Sequence, residues 1–182
     1  RHNFNMVKAA PTCKRWMRGW DLAATADENA AATAGILIGE KSDGSGFVIA
    51  HAVREQADAH ATRRLIISTA QQDGKTVYGS IPQDPGQAGK AQVKDLLVML
   101  AGYPYEASPE SGDKITRAEP LAAQVSAGNV DSVQGPWNEA FLAECEVFPY
   151  GKWKDQVDAA SRAFNELLLR PVYSAGKVVI RI

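Results

Sequence analysis

The sequence has 182 residues, of which 45% are hydrophobic, and this is enough to bury a sizeable core in one globular domain of mixed fold. The formal net charge of −1 excludes a global basic field for nucleic acid, so any polyanion must meet a local patch. Two cysteines, Cys13 and Cys145, are too few for a disulfide framework or a thiolate zinc site, and no apolar run has membrane-spanning length. These features predict a protein of the reducing cytosol.

The first predicted strand ends in an acidic residue. Trp16, Met17 and Trp20 are suited to a partly buried strand, and Asp21 stands where that strand should end. A carboxylate beside apolar neighbours is costly unless it is hydrogen-bonded, paired or bound to a cation. Taken alone, Asp21 is most simply explained as a cap of the following turn.

A β-hairpin follows. Gly35–Gly39 is predicted to be a short buried strand, Asp43–Gly46 has turn chemistry, and Phe47–Val53 is predicted to be the return strand. Together with the first strand this predicts a three-stranded meander. His51 lies in the return strand without a cysteine or second histidine at ligand spacing, so we interpret it as structural.

The next predicted elements are a helix over 56–72 and a central strand over 76–81. The loop 82–90 that follows superficially resembles a phosphate-binding P-loop. That motif needs glycine where Asp84 stands and serine or threonine where Ala91 stands, so a nucleoside triphosphate site is excluded here.

Asp84 is a second carboxylate at the exit of a predicted strand. As a turn residue before a proline it has an equally good structural explanation. The loop leads into a helix predicted from Lys90 to Ala101, whose first amides and Lys90 side chain could face a phosphate.

The second half of the chain alternates short strands and helices. Gly102–Ala107 is predicted to be a strand at an edge or in an initial position because it contains a proline. A helix is predicted to open within 111–120 and run to about Ala127, followed by a turn and short strand over 128–133 and a helix from about 136 to 149.

The helix that opens within 111–120 contains two basic residues one turn apart. Thr116 and Glu119 have capping-box spacing, which is a sufficient structural account of both. Lys114 and Arg117 are not explained by it, and they either form a solvated face or contact a polyanion backbone.

The last predicted helix, from Lys152 to about Leu169, has two acids near its start. Asp155 and Asp158 are three residues apart and so share one face, where a solvated acidic first turn is a good explanation because acids stabilise helix N-termini. The small residues that follow predict close packing on a sheet, which would bring Asp155 towards the strand ends. Three carboxylate sites then converge, and oxygen ligands suit Mg²⁺ or Mn²⁺.

Four segments in this order resemble the C-terminal nuclease domain of the tailed-phage terminase large subunit: Gly19–Ala23, Gln83–Lys90, Gly112–Pro120 and Asp155–Ala159. The resemblance implies a ribonuclease-H-like α/β fold with a mixed central sheet of five or more strands flanked by helices. It also implies an endonuclease that cuts concatemeric viral DNA at the start and end of packaging. We accordingly expect a single domain over 1–182, with about 1–14 as a linker from a missing ATPase domain, in a chain that is a fragment of a longer protein.

The resemblance assigns catalytic and metal-binding roles to Asp21, Asp84 and Asp155. Many relatives have a further acid where this chain has Pro82, so the second ligand departs from the pattern. At the third site the family has two adjacent acids, of which Lys154 replaces the first and Asp155 keeps the second.

Asp158 is then an auxiliary metal ligand. The implied mechanism has two Mg²⁺ or Mn²⁺ ions about 3.5–4 Å apart that bridge the scissile phosphate, with Asp21 as the bridging ligand.

The resemblance also implies partners. These are double-stranded DNA, the ATPase domain of the same polypeptide, the portal protein and the small terminase subunit, in the host cytoplasm and with no membrane. The residues expected to grip the DNA backbone without reading base sequence are Lys90, Lys114, Arg117, Lys152 and Lys154.

Two alternatives stay open. The domain could be a DNA-binding or motor-docking module with vestigial activity, an interpretation that Lys154 favours. It could also be another ribonuclease-H-like enzyme, such as a junction resolvase or a transposase, although the four ordered segments disfavour these.

Overall fold

A computed structural model describes residues 3–23, 32–83, 86–110 and 112–170. Within these ranges the chain forms one mixed sheet with the spatial order β1-β7-β4-β3-β2-β5-β6. Its strands are β1 (Asn5–Val7), β2 (Cys13–Asp21), β3 (Thr33–Lys41), β4 (Phe47–Glu55), β5 (Val77–Gln83), β6 (Tyr105–Pro109) and β7 (Val130–Val133). The strands β2, β3 and β4 form the predicted antiparallel meander, and the other pairs are parallel.

Five helices flank this sheet in the described ranges: α1 (Ala59–Asp73), α2 (Gln87–Met99), α3 (Lys114–Ser126), α4 (Asn138–Val147) and α5 (Asp155–Leu169). One hydrophobic cluster lies between the sheet and α3, α4 and α5, and a second lies between the sheet and α1 and α2. The expected architecture, a mixed sheet of five or more strands flanked by helices, is confirmed. Among the described helices, none combines the length and the apolar character needed to cross a bilayer.

The central strand β2 is packed on both faces, and its side chains alternate between them. Met17 belongs to the cluster under α5, whereas Trp20 belongs to the cluster under α1 and α2. Gly19 faces α5 so closely that a Cβ atom there would lie 2.4 Å from the carbonyl oxygen of Ala159 and from the amide nitrogen of Ala163. Only glycine permits this approach, which brings α5 directly over the end of β2.

Three details differ from the sequence predictions. Asn5–Val7, within the segment expected to be a linker, pairs with β7 as an edge strand and so belongs to the sheet. Helix α2 begins at Gln87, three residues before the predicted Lys90. Helix α3 is capped by Asp113, whose carboxylate accepts a hydrogen bond from the Thr116 amide, so Thr116 is not the cap residue of a capping box.

Candidate functional site

The C-terminal ends of every described strand except β3 lie at one edge of the sheet. Strands β2, β5 and β6 are parallel to one another, and β4 also runs parallel to β2 because each of the two is antiparallel to β3. Strands β7 and β1 run parallel to β4 in turn. The pairing of Gly19 with Ser80 places Asp21 at the level of Pro82 near the end of β5. Helices α2 and α3 begin shortly after β5 and β6, so their N-termini lie at this same edge.

Asp21 is the last residue of β2 and lies at the centre of this edge. In the strand register it is opposite Ala34, which in turn is opposite Arg54, so these three side chains share the face covered by α5. Burial raises the pKa of Asp21 from 3.8 to about 8, and the negative charges of Asp158 and, less strongly, Asp155 add to this rise. Asp21 therefore lies in an electrostatic environment where a nearby cation would be strongly favoured.

Asp155 is the first residue of α5, and its side chain points towards β3 and β4. It is only 4% exposed. One of its oxygens, Oδ2, accepts a hydrogen bond of 3.1 Å from the Ala32 amide and lies 3.5 Å from a guanidinium nitrogen of Arg54. The carboxylate is thus anchored beside Asp21 through Oδ2, while Oδ1 takes no part in these two contacts.

Asp158 lies one helical turn further along α5 and is 3% exposed. It accepts hydrogen bonds from the Lys114 ammonium and, at 3.4 Å, from the Arg117 guanidinium. The pKa of Asp158 is raised overall, because burial is the largest influence on it. The positive charges of Lys114 and Arg117 act in the opposite direction and lower it. The predicted approach of Asp155 to the strand ends is seen in its contacts with Ala32 and Arg54, and the negative charges of both Asp155 and Asp158 act on Asp21.

Lys114 and Arg117 are therefore not a free solvated pair. Besides its contact with Asp158, Arg117 pairs with Glu110 at 3.1 Å and donates to the Gly112 carbonyl. Burial is the largest single influence on Lys114 and opposes its charged form, but the hydrogen bond to Asp158 and the negative charges of the surrounding aspartates together outweigh it and raise the pKa of Lys114. The expectation that both residues lack a structural task is wrong, because each one neutralises a carboxylate that is almost fully buried.

Arg162, which was not among the predicted site residues, connects α5 to the same edge of the sheet. Arg162 lies one turn after Asp158 on α5, and its guanidinium donates to the hydroxyls of Ser80 at 3.0 Å and Ser108 at 2.9 Å. It also pairs with Glu110 at 3.2 Å, so Glu110 joins Arg117 and Arg162. These contacts tie α5 to the ends of β5 and β6. The position of Arg162 four residues after Asp158 could have indicated that it lies on the same face of α5, but the sequence does not indicate its partners.

Arg54, Lys152 and Trp153 form a basic and aromatic cluster beside Asp155, which we call the rim of the site. The Arg54 guanidinium lies 5.0 Å from the centre of the Trp153 ring, and the Lys152 ammonium lies 4.4 Å from the same centre. Lys152 was predicted to contact DNA. Arg54 was not predicted, because the sequence pattern of β4 does not distinguish it from any other polar residue at the end of a strand. Lys154 is the N-cap residue of α5.

Lys90 is exposed in the first turn of α2, where it forms no ion pair with any residue that the structure describes. The prediction for Asp84 lies outside the described residues. Among the residues that are described, no three histidine, cysteine, aspartate or glutamate side chains come together as a metal-binding group.

The donor chemistry nevertheless fits a divalent cation. Asp21 and Asp155 offer only carboxylate oxygens, and the pKa of Asp21 is raised by burial and by surrounding negative charge, which a hard cation would relieve. The residues present thus suit Mg²⁺ or Mn²⁺.

Comparison with known proteins gives a consistent result. The family model for a terminase RNaseH-like domain matches residues 18–167. The manganese-soaked, inhibitor-bound human cytomegalovirus terminase nuclease domain is 14% identical over 84% of this chain and 82% of that one, with a TM-score of 0.61. The zinc-bound large terminase nuclease of thermophilic phage G20c is 14% identical over 90% and 94%, with a TM-score of 0.63.

The large terminase of a second thermophilic bacteriophage is 10% identical over 93% of this chain but only 44% of that one, with a TM-score of 0.65. At such identities these likenesses show the fold. No curated protein matches the sequence.

Proposed function

Because this chain belongs to the terminase family with an RNaseH-like domain, we propose that it is a metal-dependent endonuclease that cuts concatemeric viral DNA during genome packaging. The observation that carries the proposal is the placement of Asp21 and Asp155 on one face at the carboxyl edge of the sheet, where burial and mutual repulsion favour a bound cation.

Asp21, Asp84 and Asp155 would hold the metal, with Asp158 as an auxiliary ligand. Two bound Mg²⁺ or Mn²⁺ ions would activate a water molecule and stabilise the leaving oxygen of the phosphodiester. The chain's own residues perform the remaining tasks. Lys114 and Arg117 neutralise Asp158, and the Ala32 amide orients Asp155.

The substrate is double-stranded DNA, which is held through its phosphates. Arg54 and Lys152, stacked on Trp153, provide a cationic rim beside Asp155, and we propose that Lys90, Lys114, Arg117 and Lys154 also contact phosphates. The N-termini of α2 and α3 near the same edge favour negative charge. Contacts of this kind carry no base information, as suits cutting at arbitrary sequences.

The partners follow from the family. In a complete large terminase the domain would work beside an ATPase domain, together with the portal protein and the small terminase subunit, in the cytoplasm of the infected host. The second thermophilic phage's large terminase, of which this chain spans less than half, supports the presence of a further domain in such proteins.

The activity can be tested directly on plasmid DNA. With Mn²⁺ or Mg²⁺ the purified protein should nick and linearise supercoiled plasmid with little sequence preference, and a chelator should abolish this, because the donor set consists of carboxylate oxygens. Agarose gels over a metal titration measure it. Folded protein that binds DNA but never cuts it at any Mn²⁺ concentration would support the vestigial binding module instead.

The two acids of α5 should differ in importance. Asp155→Asn should reduce the cleavage rate at least about tenfold more than Asp158→Asn, because Asp158 is one turn further along the helix and already has Lys114 and Arg117 as partners. Cleavage rates of both variants at saturating Mn²⁺ measure the difference. A greater reduction in Asp158→Asn at unchanged stability would exchange the two assignments.

A further inference from the structure

A buried glutamate on the neighbouring helix caps the helix that carries the two acids. Glu144 of α4 is 6% exposed, and its Oε1 accepts hydrogen bonds from the backbone amides of Gln156 at 2.7 Å and Val157 at 3.0 Å. Its other oxygen, Oε2, accepts a hydrogen bond of 3.0 Å from the Gln156 side chain. Both carboxylate oxygens of Glu144 are therefore engaged by the first turn of α5.

Helix α5 is not capped by its own N-cap residue. That residue is Lys154, whose side chain makes no capping hydrogen bond and carries only donors. The first amides of a helix have no partner within the helix, and they are normally satisfied by a serine, threonine, aspartate or asparagine at the cap position. Here the acceptor comes from Glu144 on another helix.

The position of this cap relates it to the proposed metal ligands. The two capped amides belong to the residues that lie between Asp155 and Asp158 in sequence. Carboxylates in a first helical turn are drawn towards free amides, which would turn their oxygens back onto the helix. Because Glu144 occupies those amides, Asp155 is left to point across to the Ala32 amide and Arg54, on the side where Asp21 lies.

We propose that Glu144 is a positioning residue for the nuclease site, which fixes the start of α5 and keeps the carboxylate of Asp155 available for the divalent cation. This inference rests on the proposed metal-dependent function of the same site. The hydrogen bonds of Glu144 described above go to Gln156 and Val157, so it acts through the backbone that carries the two acids.

The test compares three variants by calorimetric titration of Mn²⁺ and by plasmid cleavage. Glu144→Gln loses the negative charge at the start of α5 and leaves one acceptor oxygen in place of the two that serve the backbone amides and the Gln156 side chain. The double variant Glu144→Gln with Gln156→Glu restores a carboxylate and amide pair at the same two positions. Glu139→Gln is the matched control, since Glu139 is an exposed residue of the first turn of α4.

We expect Glu144→Gln to weaken Mn²⁺ binding, and to raise the Mn²⁺ concentration for half-maximal cleavage, by about 10–100-fold, the usual effect of removing a group that orients metal ligands. The double variant should recover at least part of this affinity, and Glu139→Gln should match the unaltered protein. If Glu144→Gln does not fold, Glu144→Asp, which keeps the charge but withdraws it by one methylene, should show the same weaker Mn²⁺ binding.

The possible outcomes distinguish a failure of the proposed role of Glu144 from a failure of the proposed nuclease function. If Glu144→Gln melts earlier yet binds Mn²⁺ with unchanged affinity, the cap is only structural and the inference is overturned while the nuclease stands. If the unaltered protein neither binds Mn²⁺ nor cuts DNA, the proposed function fails first, and this inference fails with it.

Discussion

Asp21→Asn should abolish DNA cleavage, with a reduction of several orders of magnitude in rate at saturating Mn²⁺. Asp21 ends the central strand, shares a face with Ala34 and Arg54, and is a proposed metal ligand. Asparagine keeps the size of the side chain but cannot carry the negative charge with which Asp21 would hold a divalent cation. Single-turnover cleavage of plasmid DNA by equal amounts of both proteins measures the effect.

The same variant should be more stable than the unaltered protein when no metal is present. The pKa of Asp21 is raised from 3.8 to about 8 by burial and by the charges of Asp158, Glu110 and Asp155. The folded state therefore binds this proton more tightly than the unfolded chain, and the associated stability, present below about pH 4, is lost as the pH rises towards 8. Asparagine is neutral at every pH, so the free energy of unfolding of the variant should not decrease with pH for this reason.

Thermal unfolding in chelator across pH 5–9 measures this difference. The melting temperature of Asp21→Asn should exceed that of the unaltered protein by a margin that grows up to about pH 8 and then levels off. A gain of about 1 kcal/mol corresponds to about 2–4 °C for a chain of this length. Added Mn²⁺ should stabilise the unaltered protein more than the variant. A variant that is both inactive and less stable at pH 8 would show that Asp21 is needed for folding.

The fold was accessible from the sequence because its strands carry strong local patterns. The strand Phe47–Glu55, the strand before it and the glycine-rich turn between them follow from period and turn chemistry. The helices were also predicted in the right order, but α1, α4 and α5 begin two or three residues after their predicted starts and α2 begins three residues before its own. The strand Asn5–Val7 was missed because it has three residues, of which none is buried, and it exists only through pairing with β7. This strand is stabilised by its pairing with β7, and its own three residues carry no local pattern that would predict a strand.

Charged residues inside the fold were the hardest to predict. Arg18 looks like the exposed position of a strand, yet it is fully buried, with hydrogen bonds of 2.8 and 2.6 Å to Asp73 at the end of α1 and a contact of 3.2 Å to His51. Arg18 and Asp73 are 55 residues apart, and such a pair has no local signal. The same limit explains why the roles of Arg54, Glu144 and Arg162 near the site were not predicted.

The paired replacement Lys114→Ala with Arg117→Ala should lower stability by about 2–3 kcal/mol. Exposed charges usually contribute within about 0.5 kcal/mol, but these two share Asp158, which is 3% exposed. Removing the partners of a buried charge typically costs about 3–5 kcal/mol, and we expect somewhat less because the Lys114 side chain is half exposed. Urea unfolding at neutral pH measures the change, with Lys94→Ala on the exposed face of α2 as the control.

Adding Asp158→Asn to this pair separates structure from DNA binding. The triple variant no longer buries an unpaired carboxylate, so it should recover at least half of the stability that the paired replacement removes. Its affinity for DNA can then be measured in folded protein. If Lys114 and Arg117 also bind phosphates, the magnitude of the salt slope should fall by about 0.9 for each phosphate that is no longer bound, uniformly across sequences. An unchanged slope in the folded triple variant would mean that these cations serve Asp158 alone and that the DNA path follows the Arg54 and Lys152 rim.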